Sequence, residues 1–134
     1  MIENGDKRPV HGTLVKVLVH RRADRGMRLE EFASRCVRQG EVHELVTTDH
    51  RVTDASIDRV GFLGFAEIAH GGVIDRGDEV HIGDRFVGTV LGFDACHFPN
   101  HYNILIAMDE PVTGRDIELS PEAGVRFVPA VADR

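Results

Sequence analysis

Asp94-Ala95-Cys96-His97-Phe98-Pro99-Asn100-His101-Tyr102-Asn103 brings a thiol, two imidazoles, a phenol and three further polar side chains into one short stretch. It lies between two apolar runs, and loops that join strands are where binding and catalytic groups concentrate. Thiolate and imidazole are ligands that suit zinc and iron, and a cysteine beside a histidine can also form a thiolate and imidazolium pair. Cys96, His97 and His101 are therefore the candidate metal ligands, with zinc or iron as the expected ion. Pro99 and the restriction it places on Phe98 disfavour a helix, so the two histidines are not an i,i+4 pair on one helical face. If Pro99-Asn100 is the centre of a β-turn, strand alternation places Cys96, Phe98, His101 and Asn103 on one face and His97 and Tyr102 on the other. On that geometry Cys96 and His101 act together as catalytic residues, His97 matters less, and Tyr102 and Asn103 orient a substrate. The competing reading is a polar loop whose histidines bond to backbone.

Glu67 is the third catalytic candidate. In the run 60–70 it alternates in register with Leu63, Phe65 and Ala69, and an isolated carboxylate on such a stripe is costly to bury. A glutamate buried among apolar groups can serve as general acid or base; one on a partly solvated face, or beside an arginine, needs no such role. His70 ends the same run and is assigned to substrate binding. Cys36 reads as a small core residue. Two cysteines sixty positions apart form no disulfide framework, so both are expected as free thiols.

The elements that must position these groups are mostly strands. Residues 13–19, 41–47, 60–70, 80–82, 85–93, 102–108, 115–119 and 125–128 are rich in β-branched and apolar residues, with Gly83-Asp84 as a two-residue hairpin loop. The consecutive Ile104, Leu105 and Ile106 predict a strand covered on both faces. One stretch has a different period: Leu29, Phe32, Ala33, Cys36 and Val37 are spaced as an amphipathic helix requires, with Gly40 as its cap. A helix over about 27–39 is expected, with a short helical turn near Asp54. The predicted fold is mainly β, a small single-domain β-barrel or two-sheet roll of about seven strands with that one helix.

The 134 residues fit one domain, with 1–10 and 129–134 as flexible tails. A 42% apolar and 28% charged composition is that of a globular chain. A net charge of −6 argues against sequence-independent nucleic-acid binding. No apolar run approaches the roughly 20 residues that span a bilayer, and the polar N-terminal segment has no secretory core. A cytoplasmic location is expected, with no membrane partner. Strand edges left by an open barrel predict a homodimer.

The order of strands and turns resembles a known family. Residues 74–83 followed by Phe86-Val87-Gly88-Thr89-Val90-Leu91-Gly92 are similar to the Gly-punctuated segment of the glucitol/sorbitol-specific enzyme IIA component of the sugar phosphotransferase system. Residues 103–109 and 112–127 fit the same pattern. The resemblance implies a small β-barrel. It also places a phosphorylated histidine just upstream, where this chain reads Phe62-Leu63-Gly64-Phe65-Ala66, so it does not carry over phosphocarrier chemistry. The leading functional expectation is an intracellular small-molecule enzyme, metal-assisted, performing proton transfer such as dehydration, isomerisation or cyclisation. The alternative is a non-catalytic ligand-binding or phosphotransferase-like regulatory module.

Overall fold

A computed structural model describes residues 5–53 and 55–130. They form ten strands: β1 (Val10–Val17), β2 (Arg21–Arg22), β3 (Ser34–Val37), β4 (Val42–Thr48), β5 (Val60–His70), β6 (Gly72–Asp75), β7 (Glu79–Ile82), β8 (Arg85–Asp94), β9 (Asn103–Ala107) and β10 (Gly124–Val128). The main sheet runs β1-β10-β7-β8-β9-β4-β5, and β5 then pairs with β1, so the circuit of ladders returns to its start. β2 adds to β5, while β3 and β6 form a separate ladder. β4 and β9 are parallel. Closing the circuit removes most of the free edges on which the dimer expectation rested, leaving those of β2, β3 and β6. No helix among the described residues is long and apolar enough to cross a membrane.

Strand alternation sends consecutive residues into two cores. Leu45, Phe93, Ile104 and Ile106 belong to the larger cluster with Leu14, Leu63, Ala66, Ile68 and Phe127. Val46 and Leu105 face the other way, into a smaller cluster with Met27, Ile57, Val60, Phe62 and Leu91. The apolar run of β9 is thus covered on both faces, as its sequence predicts.

The predicted helix over 27–39 is absent. Met27 forms an isolated bridge with Ile57, and Ser34–Val37 is strand paired with β6. Phe32 is 66% exposed and Cys36 is also exposed, so the helical spacing does not mark a buried stripe and Cys36 is not a core residue. The backbone finds partners elsewhere: Glu30 N–H donates to Phe93 O at 2.7 Å and Arg76 N–H to Ala33 O at 2.7 Å. A stretch this short has little helical stability of its own, and partners supplied by the sheet satisfy its backbone instead.

Two smaller corrections follow the same logic. The expected strand at 115–119 is a turn, closed by Glu118 N–H to Arg115 O and Leu119 N–H to Gly114 O. The expected N-terminal tail is tied down from Lys7, which pairs with Asp75 and Asp78, and Val10 is fully buried at the start of β1. Residues 1–4, Asp54 and 131–134, where parts of both tails and of the short helical turn were expected, lie outside the described residues. The 83–84 hairpin is as expected, with Ile82 opposite Arg85.

β5 changes face in its middle. Leu63 belongs to the larger core, and so do Ala66 and Ile68, which strict alternation from Leu63 would exclude. The ladders on both sides shift register here, between Leu45 and Val46 on β4 and between Leu14 and Lys16 on β1. An extra residue reverses every side chain beyond it. Glu67 is therefore exposed rather than set on an apolar stripe. The bulge depends on Gly64, where a Cβ would lie 2.1 Å from Lys16 O. Gly64→Ala is expected to cost about 2 kcal/mol, read as a lower urea midpoint at unchanged slope; a midpoint within error of wild type would show that the two strands part easily.

Candidate functional site

Residues paired across a sheet point to the same side, so the ladders set Asp94, Asn103, Glu44 and Phe65 in one row across β8, β9, β4 and β5. Their chain neighbours Phe93, Ile104 and Leu45 fill the larger core, so this row lies on the other face. Residues 95–102 fold over it. The connection holds two successive turns, Phe98 N–H to Ala95 O at 3.0 Å and Asn100 N–H to His97 O at 2.8 Å. It is wider than the single turn centred on Pro99-Asn100 that the sequence predicts, and strand alternation does not continue through it.

His97 and His101 consequently share a side, with ring centroids 5.0 Å apart. His101 is buried, packs edge-on against Phe65 and places Nε2 3.4 Å from Glu44 Oε1. One ligand atom each from Glu44, His97 and His101 lies within 4.8 Å of the others. Two imidazoles and a carboxylate are a donor set that suits zinc or non-haem iron. The amide of Asn100 meets His101 Nδ1 at 2.8 Å and fixes the ring's orientation; turned over, its oxygen would accept from Nδ1–H, the arrangement that a ligating Nε2 requires.

Cys96 is not part of this group, and the pairing of Cys96 with His101 expected from the sequence is replaced by His97 with His101. The thiol turns toward Asp94, whose Oδ1 accepts from Cys96 N–H and Asn103 Nδ2, each at 3.0 Å, while Oδ2 accepts from Arg28 N–H at 3.0 Å. Burial works against the Asp94 charge, but the bonds from Cys96, Arg28 and Asn103 prevail and hold its pKa below the ordinary value. Burial and Asp94 push the Cys96 pKa up, only partly opposed by Arg25. Cys96 thus keeps its proton at neutral pH and is neither a ready nucleophile nor a ready ligand.

Arg25 Nη2 lies 3.2 Å from Cys96 Sγ and 3.1 Å from His97 Nε2. A guanidinium only donates, so His97 Nε2 accepts here. A metal entering at Nε2 displaces Arg25; one entering at Nδ1 displaces a proton.

A second group adjoins the first. Buried His43 accepts at Nδ1 from Tyr102 N–H at 3.0 Å and faces Glu41 Oε1 with Nε2 at 3.1 Å. Glu41 Oε1 also accepts from Arg38 N–H at 2.9 Å. Burial raises the Glu41 pKa, but the Arg38 and His43 bonds outweigh it and the net shift is downward. Residues 40–43 and 98–102 enclose a cavity of about 360 Å³ lined by Glu41, His43, His101 and Tyr102 among others. Arg35 stacks on the Tyr102 ring at 4.4 Å.

Of the residues proposed from sequence, His97, His101 and Tyr102 meet at this site. Asn103 lies fully buried beneath it, with Oδ1 unpartnered. Glu67 sits opposite Val42, and His70 faces His11 with ring centroids 5.7 Å apart, so neither belongs to the three-residue cluster. Sequence reasoning missed Glu44, Glu41, His43 and Arg25. Glu44 had a signal: it is a carboxylate inside the apolar run 42–48, the argument that was applied to Glu67.

A family model described as a family of unknown function, DUF6917, matches residues 4–128. The chain belongs to the DUF6917 family. No curated protein and no solved structure matches this DUF6917 chain, so its resemblance to the glucitol-specific enzyme IIA component rests on turn and strand pattern alone.

Proposed function

We propose that this DUF6917 chain is a small-molecule enzyme that binds zinc or iron at Glu44, His97 and His101 and performs proton-transfer chemistry in the adjoining cavity. Convergence of these three ligand atoms within 4.8 Å is the observation that carries the reading. Three protein ligands leave coordination positions open, as catalytic sites require. A metal held by these residues would supply Lewis acidity toward a substrate oxygen and so raise the acidity of a neighbouring C–H or O–H. Glu41, kept ionised by its lowered pKa, supplies a carboxylate on the cavity wall. Dehydration, isomerisation and cyclisation all fit this arrangement. The closed circuit of ladders reads as a small β-barrel whose outer face, rather than its interior, carries the site. Of the catalytic residues expected from sequence, Glu67, His101 and Cys96, this reading keeps His101 and sets it beside Glu44 and His97, with Glu41 on the cavity wall.

Proton abstraction exchanges substrate hydrogen with solvent even without net turnover. Incubating the metal-loaded protein in D₂O with pools of small ketones, hydroxy acids and amino alcohols should give metal-dependent carbon deuteration by NMR, absent from His101→Ala. Metal binding with no exchange in any pool would instead identify a non-catalytic ligand-binding module.

A further inference from the structure

The cavity beside the histidine cluster has a charge character that its metal ligands do not explain. His43 Nδ1 accepts from the Tyr102 backbone N–H, so this ring carries a proton on Nε2, toward Glu41. Lys and Arg are absent from the lining, and Glu41 is its one acidic residue. Oε1 of Glu41 takes the bonds from Arg38 and His43, leaving Oε2 for a ligand. Phe98 and Tyr102 form an aromatic wall with centroids 5.2 Å apart, and Phe98 is 59% exposed. Pockets that take small ligands are lined largely by apolar and aromatic side chains with a few polar groups among them. The Arg35 guanidinium stacked on Tyr102 shows that this ring already attracts a cation. An anionic ligand would meet the Glu41 carboxylate directly, whereas the nearby charges of Arg35 and Arg38 belong to residues outside the lining.

We propose that this cavity takes a small ligand bearing a protonated amine, its ammonium held by Glu41 and its apolar part packed on Phe98 and Tyr102. At about 360 Å³ the cavity is at the small end of the range for ligand sites. The inference names the substrate class of the proposed site and rests on that reading for its place, but it needs no metal. It implies that the amine lies at one end of the substrate and a metal-binding oxygen at the other, toward His101.

The test is an amide NMR titration of the full chain, metal-free and zinc-loaded, with three probes of equal size: 2-phenylethylamine, 2-phenylethanol and phenylacetate. The amine should shift the amides of residues 40–43 and 98–102 and bind about 10-fold more tightly than the alcohol, a charge-assisted margin. Phenylacetate should bind the metal-free protein more weakly than either. Glu41→Gln should reduce the amine to the affinity of the alcohol. Phenylacetate binding as tightly as the amine, amine shifts mapping elsewhere, or no amine binding at millimolar concentration would each overturn the proposal. The wild-type ranking decides it even if Glu41→Gln does not fold. Failure to retain zinc with the amine preference intact would count against the metal reading alone; zinc retained with no amine preference would count against this inference alone.

Discussion

Zinc dialysed into the wild-type chain is expected to remain at one ion per chain, and Glu44→Gln, His97→Ala and His101→Ala should each weaken it by about 100-fold or more. Removing a group that only supports a ligand costs 10–100-fold, and a donor itself should cost at least the upper end of that range. Because the three ligand atoms lie within 4.8 Å of one another and would bind one ion together, a double replacement should add little beyond the first. Cys96→Ala should retain the ion, since the thiol holds its proton against Asp94 and lies outside the cluster. Arg25→Ala should bind zinc more tightly if Nε2 is the His97 donor, because the guanidinium then no longer competes for that lone pair. Equilibrium dialysis with elemental analysis reads all of these. Loss of zinc from Cys96→Ala would restore the pairing of Cys96 with His101 that the sequence suggests, whereas stoichiometric zinc in His101→Ala would overturn both sites.

That contrast shows which features the sequence made legible. β5 and the 83–84 hairpin are local patterns, and the structure has both at their predicted positions. The stretch rich in cysteine and histidine is equally legible, because its composition is local too. Its partner is not. Glu44 reaches His101 across 57 positions of sequence, through a parallel ladder between β4 and β9 that no nearby pattern specifies. Glu67 was misjudged for a related reason: strand alternation holds only between bulges, and the bulge at Gly64 requires a neighbour, Lys16, from a different strand. The helix over 27–39 failed because a 3.6-residue spacing over nine positions also occurs in chain whose backbone partners lie in the sheet, as Glu30 and Ser34–Val37 show. What stayed hidden in each case depends on contacts between distant segments.

Asp94 is where three of those segments meet, and its loss should have the largest effect on stability. The carboxylate is 3% exposed and ties the backbone at Arg28, the start of the loop at Cys96 and the buried Asn103 of β9. Asp94→Ala strands the Asn103 amide in the interior and leaves two part-buried backbone donors without their acceptor, and at about 1–3 kcal/mol for an unsatisfied group we expect a total loss of about 3 kcal/mol. Asp94→Asn keeps the shape and should lose less, about 2 kcal/mol. It also separates charge from packing. The folded pKa of Asp94 lies below its ordinary value, near 3.9 in the unfolded chain, so its charge stabilises the fold fully above the unfolded pKa. That contribution disappears as pH falls through the folded value. Wild-type stability should therefore decline from about pH 5 downward, and Asp94→Asn should decline less steeply over the same window. Glu41, Asp75 and Asp116 are shifted in the same direction, so the slope is reduced rather than removed. Urea midpoints followed from pH 7 down to about pH 2.5, below the unfolded value, measure the difference. Parallel declines in the two proteins would mean that Asp94 acts through shape alone, and zinc affinity unchanged in Asp94→Ala would mean that the loop keeps its metal geometry without this anchor.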